Sequence, residues 1–302
     1  MQPDQRVAEL AGRLRGRLVA AAATPTDGGG RVDAAVVDAY LAGLVADGAG
    51  GLAVCAHTGR GPYLDPTTRD LLVRRARSLD VPVVVGVGGP GDTPAATLAA
   101  AELAAAGGAD ALLVFPSPDP LDRHDALWRA TGLPLVAFDL YTAPYQDTDL
   151  HALLAHPGVA GVKTARLHDA IACQAALAAA RDAGRLAITG EDRMFGPSLM
   201  WGADAALVGI AAAAVPLTAG VLDAHVAGRF DEFVVASRRL DALASVTFRP
   251  PYDGYVQRML WIAAAEQRIP PDHAGDAHGP DLDPAERSDV LTTWRTLAET
   301  RV

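Results

Sequence analysis

Lysine is almost absent from this 302-residue chain: of its 26 basic residues, only Lys163 is not arginine. Such a bias needs no functional cause, and chance retention is one explanation of the survivor. The other is chemical. Arginine cannot form an imine under ordinary conditions, whereas a lysine amine of lowered pKa can. Cysteine is nearly as scarce, with Cys55 and Cys173 far apart and each flanked by apolar residues. Both are expected as buried free thiols rather than as a disulfide or a nucleophile. No Cys/His spacing of the metal-binding type occurs and the eight histidines are scattered, so no metal is expected. Apolar runs long enough to span a bilayer are missing, and no cleavable apolar run follows the N-terminal arginines. The expectation is a cytoplasmic protein without a membrane partner. Positive charge is in deficit as well. A formal net charge of −10 argues against nucleic acid or an anionic membrane as the main partner. A small anionic substrate stays open, because a pocket can be locally positive.

What the chain does contain is a repeated alternation. Short apolar runs begin at Leu18 (LVAAAATP), Gly51 (GLAVCA), Pro82 (PVVVGVG), Ala111 (ALLVFP), Pro134 (PLVAFDL), Val159 (VAGVK), Leu186 (LAITGED) and Ala205 (AALVGIA). Each is continuous rather than alternating, as strands buried on both faces of a parallel sheet are. Helical stretches lie between them, at Asp33–Asp47, Thr67–Ser78, Pro94–Ala106, His168–Ala183 and Leu217–Ala227, with Asp or Thr near several starts and Gly after several ends. Eight such repeats predict a (β/α)₈ barrel. An open doubly wound sheet is the alternative, but no GxGxxG follows the first run, and GVGGPG after the third lacks a dinucleotide site's context. No cofactor is implied. The expected organisation is a barrel with a helical lead-in over 1–228 and a C-terminal helical extension over 229–302. The latter carries helices near Asp231–Ala244, Asp253–Gln267 and Pro284–Thr300. Between the last two, Pro270–Pro284 reads as an exposed loop whose His273 and His278 are solvated.

Reactive groups in a barrel sit at the C-terminal ends of its strands. Those ends offer Thr24, His57-Thr58-Gly59, Phe138-Asp139, Lys163-Thr164, Glu191-Asp192 and Gly209-Ile210. A lysine pointing into an apolar barrel mouth is desolvated, which favours the neutral, nucleophilic amine. The alternative is an ion pair with Glu191 or Asp192 that helps close the barrel.

With these residues in view, the chain resembles the dihydrodipicolinate synthase / N-acetylneuraminate lyase family of Schiff-base aldolases and dehydratases, from about Arg17 to the C-terminal helices. The resemblance rests on Thr24-Pro25 with Asp33 downstream, the loop Ala56-His-Thr-Gly-Arg-Gly-Pro, Phe138-Asp139 and Val159-Ala-Gly-Val-Lys163. It implies that Lys163 forms an imine with pyruvate or another 2-oxo acid, and that Thr58 and Gly59 bind the substrate carboxylate. Other family positions have changed. The relay threonine is His57, the loop glutamate is Arg60, and the fifth-strand tyrosine is Phe138. The fourth-loop tyrosine falls in Phe115-Pro-Ser-Pro118, and the arginine after the fifth strand falls near Ala143. Dihydrodipicolinate synthesis itself is therefore not expected to be efficient.

His57 is the candidate replacement proton carrier, since imidazole titrates near neutrality; a packing role is its alternative. Tyr141 can place its phenol in the same mouth or pack. Arg60 can grip a carboxylate as a planar fork or lie on the surface. Glu191 and Asp192 can hold a sugar hydroxyl or a proton, and Phe138 and Ile210 complete the expected substrate wall. The reading is a Schiff-base lyase acting on a 2-oxo acid, leaning to a 2-oxo sugar acid, by aldol cleavage or dehydration. A barrel that binds a sugar acid without catalysis, or supports a partner enzyme, is the alternative; a phosphate-binding barrel isomerase is a weaker third. By resemblance a homo-oligomer, tetramer or dimer, is expected.

Overall fold

The computed structural model describes residues 4–299; the outermost residues of the expected 1–228 and 229–302 units lie outside them. Eight parallel strands close into a barrel in chain order: β1 (Leu18–Ala21), β2 (Gly51–Val54), β3 (Val83–Val87), β4 (Ala111–Val114), β5 (Leu135–Leu140), β6 (Val159–Ala165), β7 (Leu186–Thr189) and β8 (Ala205–Val208). Every strand residue is buried, which is why the sequence shows unbroken apolar runs rather than alternation. The helices are α1 (Gln5–Leu14), α2 (Ala34–Ala46), α3 (Pro66–Arg77), α4 (Pro94–Ala106), α5 (Pro120–Thr131), α6 (Asp147–Ala155), α7 (Ala170–Asp182), α8 (Phe195–Met200), α9 (Val215–Val226), α10 (Phe230–Thr247), α11 (Tyr255–Ala265) and α12 (Pro284–Glu299). Carboxylate caps start several of them: Asp33 accepts from the backbone N–H groups of Ala35 and Val36, and Asp65 from those of Thr67 and Thr68. Both cysteines are free and buried.

The core has two parts. Val19, Ala53, Val84, Leu113, Val136, Ile188 and Leu207 fill the barrel's interior, with Val7, Leu10 and Leu14 of α1 packed beneath them. Leu18, Leu52, Val83, Leu112, Leu135 and Ala206, one step away along the strands, pack outward against the helices. On β6 this alternation is interrupted. Val159 faces outward and Ala160 inward, yet Val162 again faces outward. The register with β5 explains it: Leu135 pairs with Val159 and Val136 with Gly161, so Ala160 is an extra residue. A bulge of this kind re-aims the side chains beyond it, and here it turns Lys163 and Ala165 inward.

The C-terminal part wraps back over the barrel mouth. Arg258 on α11 is fully buried and gathers the carbonyls of Thr247 (3.0 Å), Arg249 (2.8 Å), Pro251 (3.3 Å) and Pro250 (3.4 Å), with Glu286 of α12 at 2.8 Å. One guanidinium thus ties together the first half of the connection from α10 to α11. The stretch Pro270–Pro284 is less free than its composition predicts. Gln257 donates to the Ala274 carbonyl and accepts from the Asp276 N–H at 2.9 Å, and Thr26 pairs with Ala274 and Gly275. His278 stacks on Tyr63 with ring centroids 4.6 Å apart, and His273 lies 3.0 Å from Asp272.

Candidate active site

Lys163 reaches the mouth from β6 with its amine 3.9 Å from the centroid of the Phe138 ring, its register neighbour on β5. Room for the side chain exists because residue 190, just beyond β7, is glycine. A Cβ there would lie 2.6 Å from Lys163 Cε and 2.8 Å from the Thr164 carbonyl oxygen. Burial pushes the Lys163 pKa down, against the opposing pull of Asp192 and Glu191, so the neutral amine is more accessible than on an exposed lysine. Neither carboxylate forms an ion pair with it among the described residues; they act through space.

Four expected residues line the same cavity as Lys163: His57, Thr58, Phe138 and Tyr141. Gly59, Arg60, Glu191 and Ile210 do not. The Gly59 carbonyl accepts from Thr24 Oγ1 at 2.7 Å, which ties the loop after β2 to the end of β1. Arg60 turns away and forms a buried pair with Asp276 at 2.6 Å, and also donates to the Asp253 carbonyl at 2.8 Å. Its fork is therefore filled by the C-terminal loop. Glu191 accepts the backbone N–H groups of Arg166 and Leu167, the latter at 3.2 Å, and so shapes the turn after β6. Burial nevertheless raises its pKa to about 7, against those two hydrogen bonds. Asp192, its neighbour, is the carboxylate that lines the cavity. It accepts from the Ile210 N–H at 2.7 Å, and burial pushes its pKa up. Asp139, buried beneath the mouth, receives Arg166 at 2.6 Å and the Tyr145 N–H at 3.0 Å.

The other side of the cavity comes from outside the barrel. Phe248, Tyr252 and Tyr255, from the connection between α10 and α11 and the first turn of α11, close over Lys163. Tyr255 places its hydroxyl 2.9 Å from Thr58 Oγ1 and 3.2 Å from His57 Nδ1. Its ring fits because residue 209 is glycine; a Cβ there would lie 2.7 Å from the Tyr255 ring. Asp253 accepts from the Tyr141 hydroxyl at 2.7 Å and lies 3.5 Å from His57 Nε2. Burial is the largest influence on His57 and lowers its pKa from the ordinary 6.5, in spite of Asp253. It is thus a neutral imidazole at neutral pH, not the titrating group its residue type suggests. The phenols of Tyr141 and Tyr255 are pushed up by burial.

The cavity enclosed by these groups is about 30 Å³, room for a water or two. A cavity of about 600 Å³ lies between α4 and α5 and includes none of the residues above. Among the described residues, no group of three or more His, Cys, Asp or Glu side chains is placed to hold a metal ion, and no helix is long and apolar enough to cross a membrane.

Residues 14–263 match the family model described as the dihydrodipicolinate synthetase family. The chain belongs to this family. Among curated relatives, a 4-hydroxy-tetrahydrodipicolinate synthase of Synechococcus sp. (strain WH7803) is 37% identical over 143 residues, 44% of this chain and 47% of that protein. The chain thus spans about half the length of the curated relatives it matches. Solved structures extend the likeness over nearly the whole fold. A dihydrodipicolinate synthase from Agrobacterium tumefaciens str. C58 superposes with a TM-score of 0.82 at 23% identity, covering 95% of this chain and 99% of the other. The structure described as KD(P)GA from T. tenax gives 0.78 at 22% identity, covering 93% and 99%. Tyr255 is the candidate in this cavity that reading strand ends alone misses. A signal exists in the sequence: FRPPYDGY places two of the chain's six tyrosines within four residues of a Pro-Pro pair.

Proposed function

We propose that this protein is a class I lyase that binds a 2-oxo acid as a Schiff base on Lys163 and cleaves or dehydrates it without a cofactor. The observation that carries the reading is the state of Lys163: the chain's one lysine, in the C-terminal half of β6, desolvated, without an ion pair among the described residues, and aimed into the mouth. Membership of the family supports it, as do relatives named 4-hydroxy-tetrahydrodipicolinate synthase. In chemical terms the amine attacks the C2 carbonyl and water leaves. The protonated imine then withdraws the electron pair released when the C3–C4 bond breaks or a C3 proton is lost. Thr58 would face the carboxylate, and Asp192 would balance the iminium charge. The expected 2-oxo sugar acid remains a proposal within this class. So does a homo-oligomer, tetramer or dimer, for which Val226, Phe230 and Val234 supply an exposed apolar strip along α9 and α10.

A second reading has one observation in its favour. A closed mouth of about 30 Å³ is far smaller than ordinary ligand pockets of roughly 300–1,000 Å³, as a barrel without turnover would tolerate. Borohydride reduction in the presence of pyruvate or longer 2-oxo acids, read by intact mass, decides between them. The expected result is a stable adduct on Lys163 that the Lys163→Arg variant does not form. With no other lysine in the chain, the N-terminal amine is the main competitor. Absence of any adduct across the panel overturns the lyase reading and leaves the second one.

A further inference from the structure

Imine formation at Lys163 needs a group that gives a proton to the carbonyl oxygen as the amine attacks and that later helps expel the oxygen as water. Beside the lysine, β5 offers only the Phe138 ring, which has no proton to give. His57 is near, but both its nitrogens are engaged: Nδ1 with the Tyr255 hydroxyl at 3.2 Å and Nε2 facing Asp253 at 3.5 Å. Tyr141 directs its hydroxyl to Asp253. The phenol of Tyr255 also lines the cavity and differs in what stands behind it: two groups, Thr58 Oγ1 at 2.9 Å and His57, that can each donate or accept. Both protonation states of that phenol keep hydrogen-bond partners, as a shuttle requires.

We infer that Tyr255, carried by the C-terminal helix α11 rather than by a barrel strand, is the proton-transfer residue of the Schiff-base chemistry, with His57 and Thr58 as the positioning residues that hold it. The inference rests on the proposed imine chemistry and deepens it. In the first step the Lys163 nitrogen bonds to C2, the carbonyl π pair moves onto oxygen, and that oxygen takes the Tyr255 proton. The phenolate, held by Thr58 O–H and the His57 N–H tautomer, recovers a proton from the new ammonium nitrogen. In the second step the phenol gives that proton to the carbinolamine hydroxyl, the C–O bond breaks, water leaves, and the nitrogen lone pair forms the C=N bond. The phenolate regains its proton from solvent or substrate as the cycle closes. No other reactant is needed. Burial raises the phenol's pKa, so it enters the cycle protonated at neutral pH, as a donor must.

The test compares rates of adduct formation at Lys163 in wild-type protein and in Tyr255→Phe, using pyruvate, timed borohydride quenching and intact mass, over a range of pH. The substitution keeps the ring that stacks on Phe248, with centroids 4.7 Å apart. The expected result is a slowing of about 10²–10⁴-fold, the usual share of general acid–base catalysis, with the final trapped fraction unchanged. Adding Phe138→Tyr to the variant should restore part of the rate by returning a phenol to the mouth. Wild-type protein that traps no 2-oxo acid overturns the lyase reading, and the inference falls with it. Wild-type protein that traps while Tyr255→Phe traps equally fast overturns the inference alone. A slowed variant that Phe138→Tyr does not rescue, and whose melting temperature has also fallen, assigns Tyr255 a structural role and likewise overturns it. Should Tyr255→Phe fail to fold, Thr58→Val removes one donor to the phenolate and must slow trapping by about tenfold; an unchanged rate is decisive against.

Discussion

The barrel strands and the connection between α10 and α11 build opposite walls of one cavity, by different means. The strands deliver Lys163 and Phe138 through hydrogen-bonded register, with backbone groups paired inside the sheet, and Asp192 follows three residues beyond the end of β7. The connection has no ladder. Its carbonyls at Thr247, Arg249, Pro250 and Pro251 are held by a single buried side chain, Arg258. One wall owes its position to many weak, redundant contacts, the other to a few side chains, Arg258 foremost, with Arg60 on the Asp253 carbonyl. Precision in the second wall is therefore vulnerable to point substitution in a way the first is not.

The sharpest way to break this contrast is Arg258→Ala. Leaving Glu286 and four carbonyls without their buried partner is expected to cost about 3–5 kcal/mol, measured by denaturant unfolding, and to release Tyr255 from the mouth. A loss below about 1 kcal/mol would mean that the connection is held by packing alone. A smaller effect separates the walls by pH. Glu191, whose pKa is raised from 4.5 to about 7 by burial, keeps its proton in the folded state while the unfolded chain loses it. Its contribution is complete below about pH 4.5 and is lost as pH rises through about 7. Stability should fall over that window by the order of 1–3 kcal/mol, and Glu191→Gln should flatten the slope. An unaltered slope in that variant would transfer the titration to Asp192. The smallest expected effect on stability is that of Tyr252→Ala. This half-buried ring rests edge-on against His168 at 4.9 Å and roofs the cavity. Its removal should change stability by no more than about 1 kcal/mol and accelerate adduct formation with longer 2-oxo acids more than with pyruvate. Equal acceleration, or none, would show that entry does not pass beneath Tyr252.

The same contrast explains what the sequence discloses. Eight continuous apolar runs are visible because strands buried on both faces have no polar side, and Lys163 stands out because it ends one of them. The expected helix at Pro94–Ala106 matches α4 to the residue, since Thr93 caps it and Gly107 follows it. Long-range landings leave no such local mark. Arg60 and Asp276 are 216 positions apart, and nothing near Arg60 distinguishes a fork aimed at substrate from one filled by the chain's own carboxylate. Tyr255 lies in a helix whose periodicity reports which face is buried, but not that its first turn caps a barrel mouth. His57 is legible as a resident of the site; its neutral state at neutral pH is not, because desolvation is set by neighbours such as Tyr255 that arrive from elsewhere in the chain.

The extra residue at Ala160 carries a further consequence. A strand is read by its neighbours two residues at a time, so the bulge acts as a shift of reading frame within β6. Deleting Ala160 would leave a plain ladder, with Val136 still opposite Gly161 and Phe138 still opposite Lys163, so the lysine would keep its inward aim. Adding one residue between Gly161 and Val162, beyond the bulge, would alter no functional side chain, yet it would send Lys163 into the helical layer and bring Val162 to the mouth. For this chain the economical route to silence is therefore a single-codon insertion in β6 beyond the bulge, one that leaves every motif residue recognisable in an alignment.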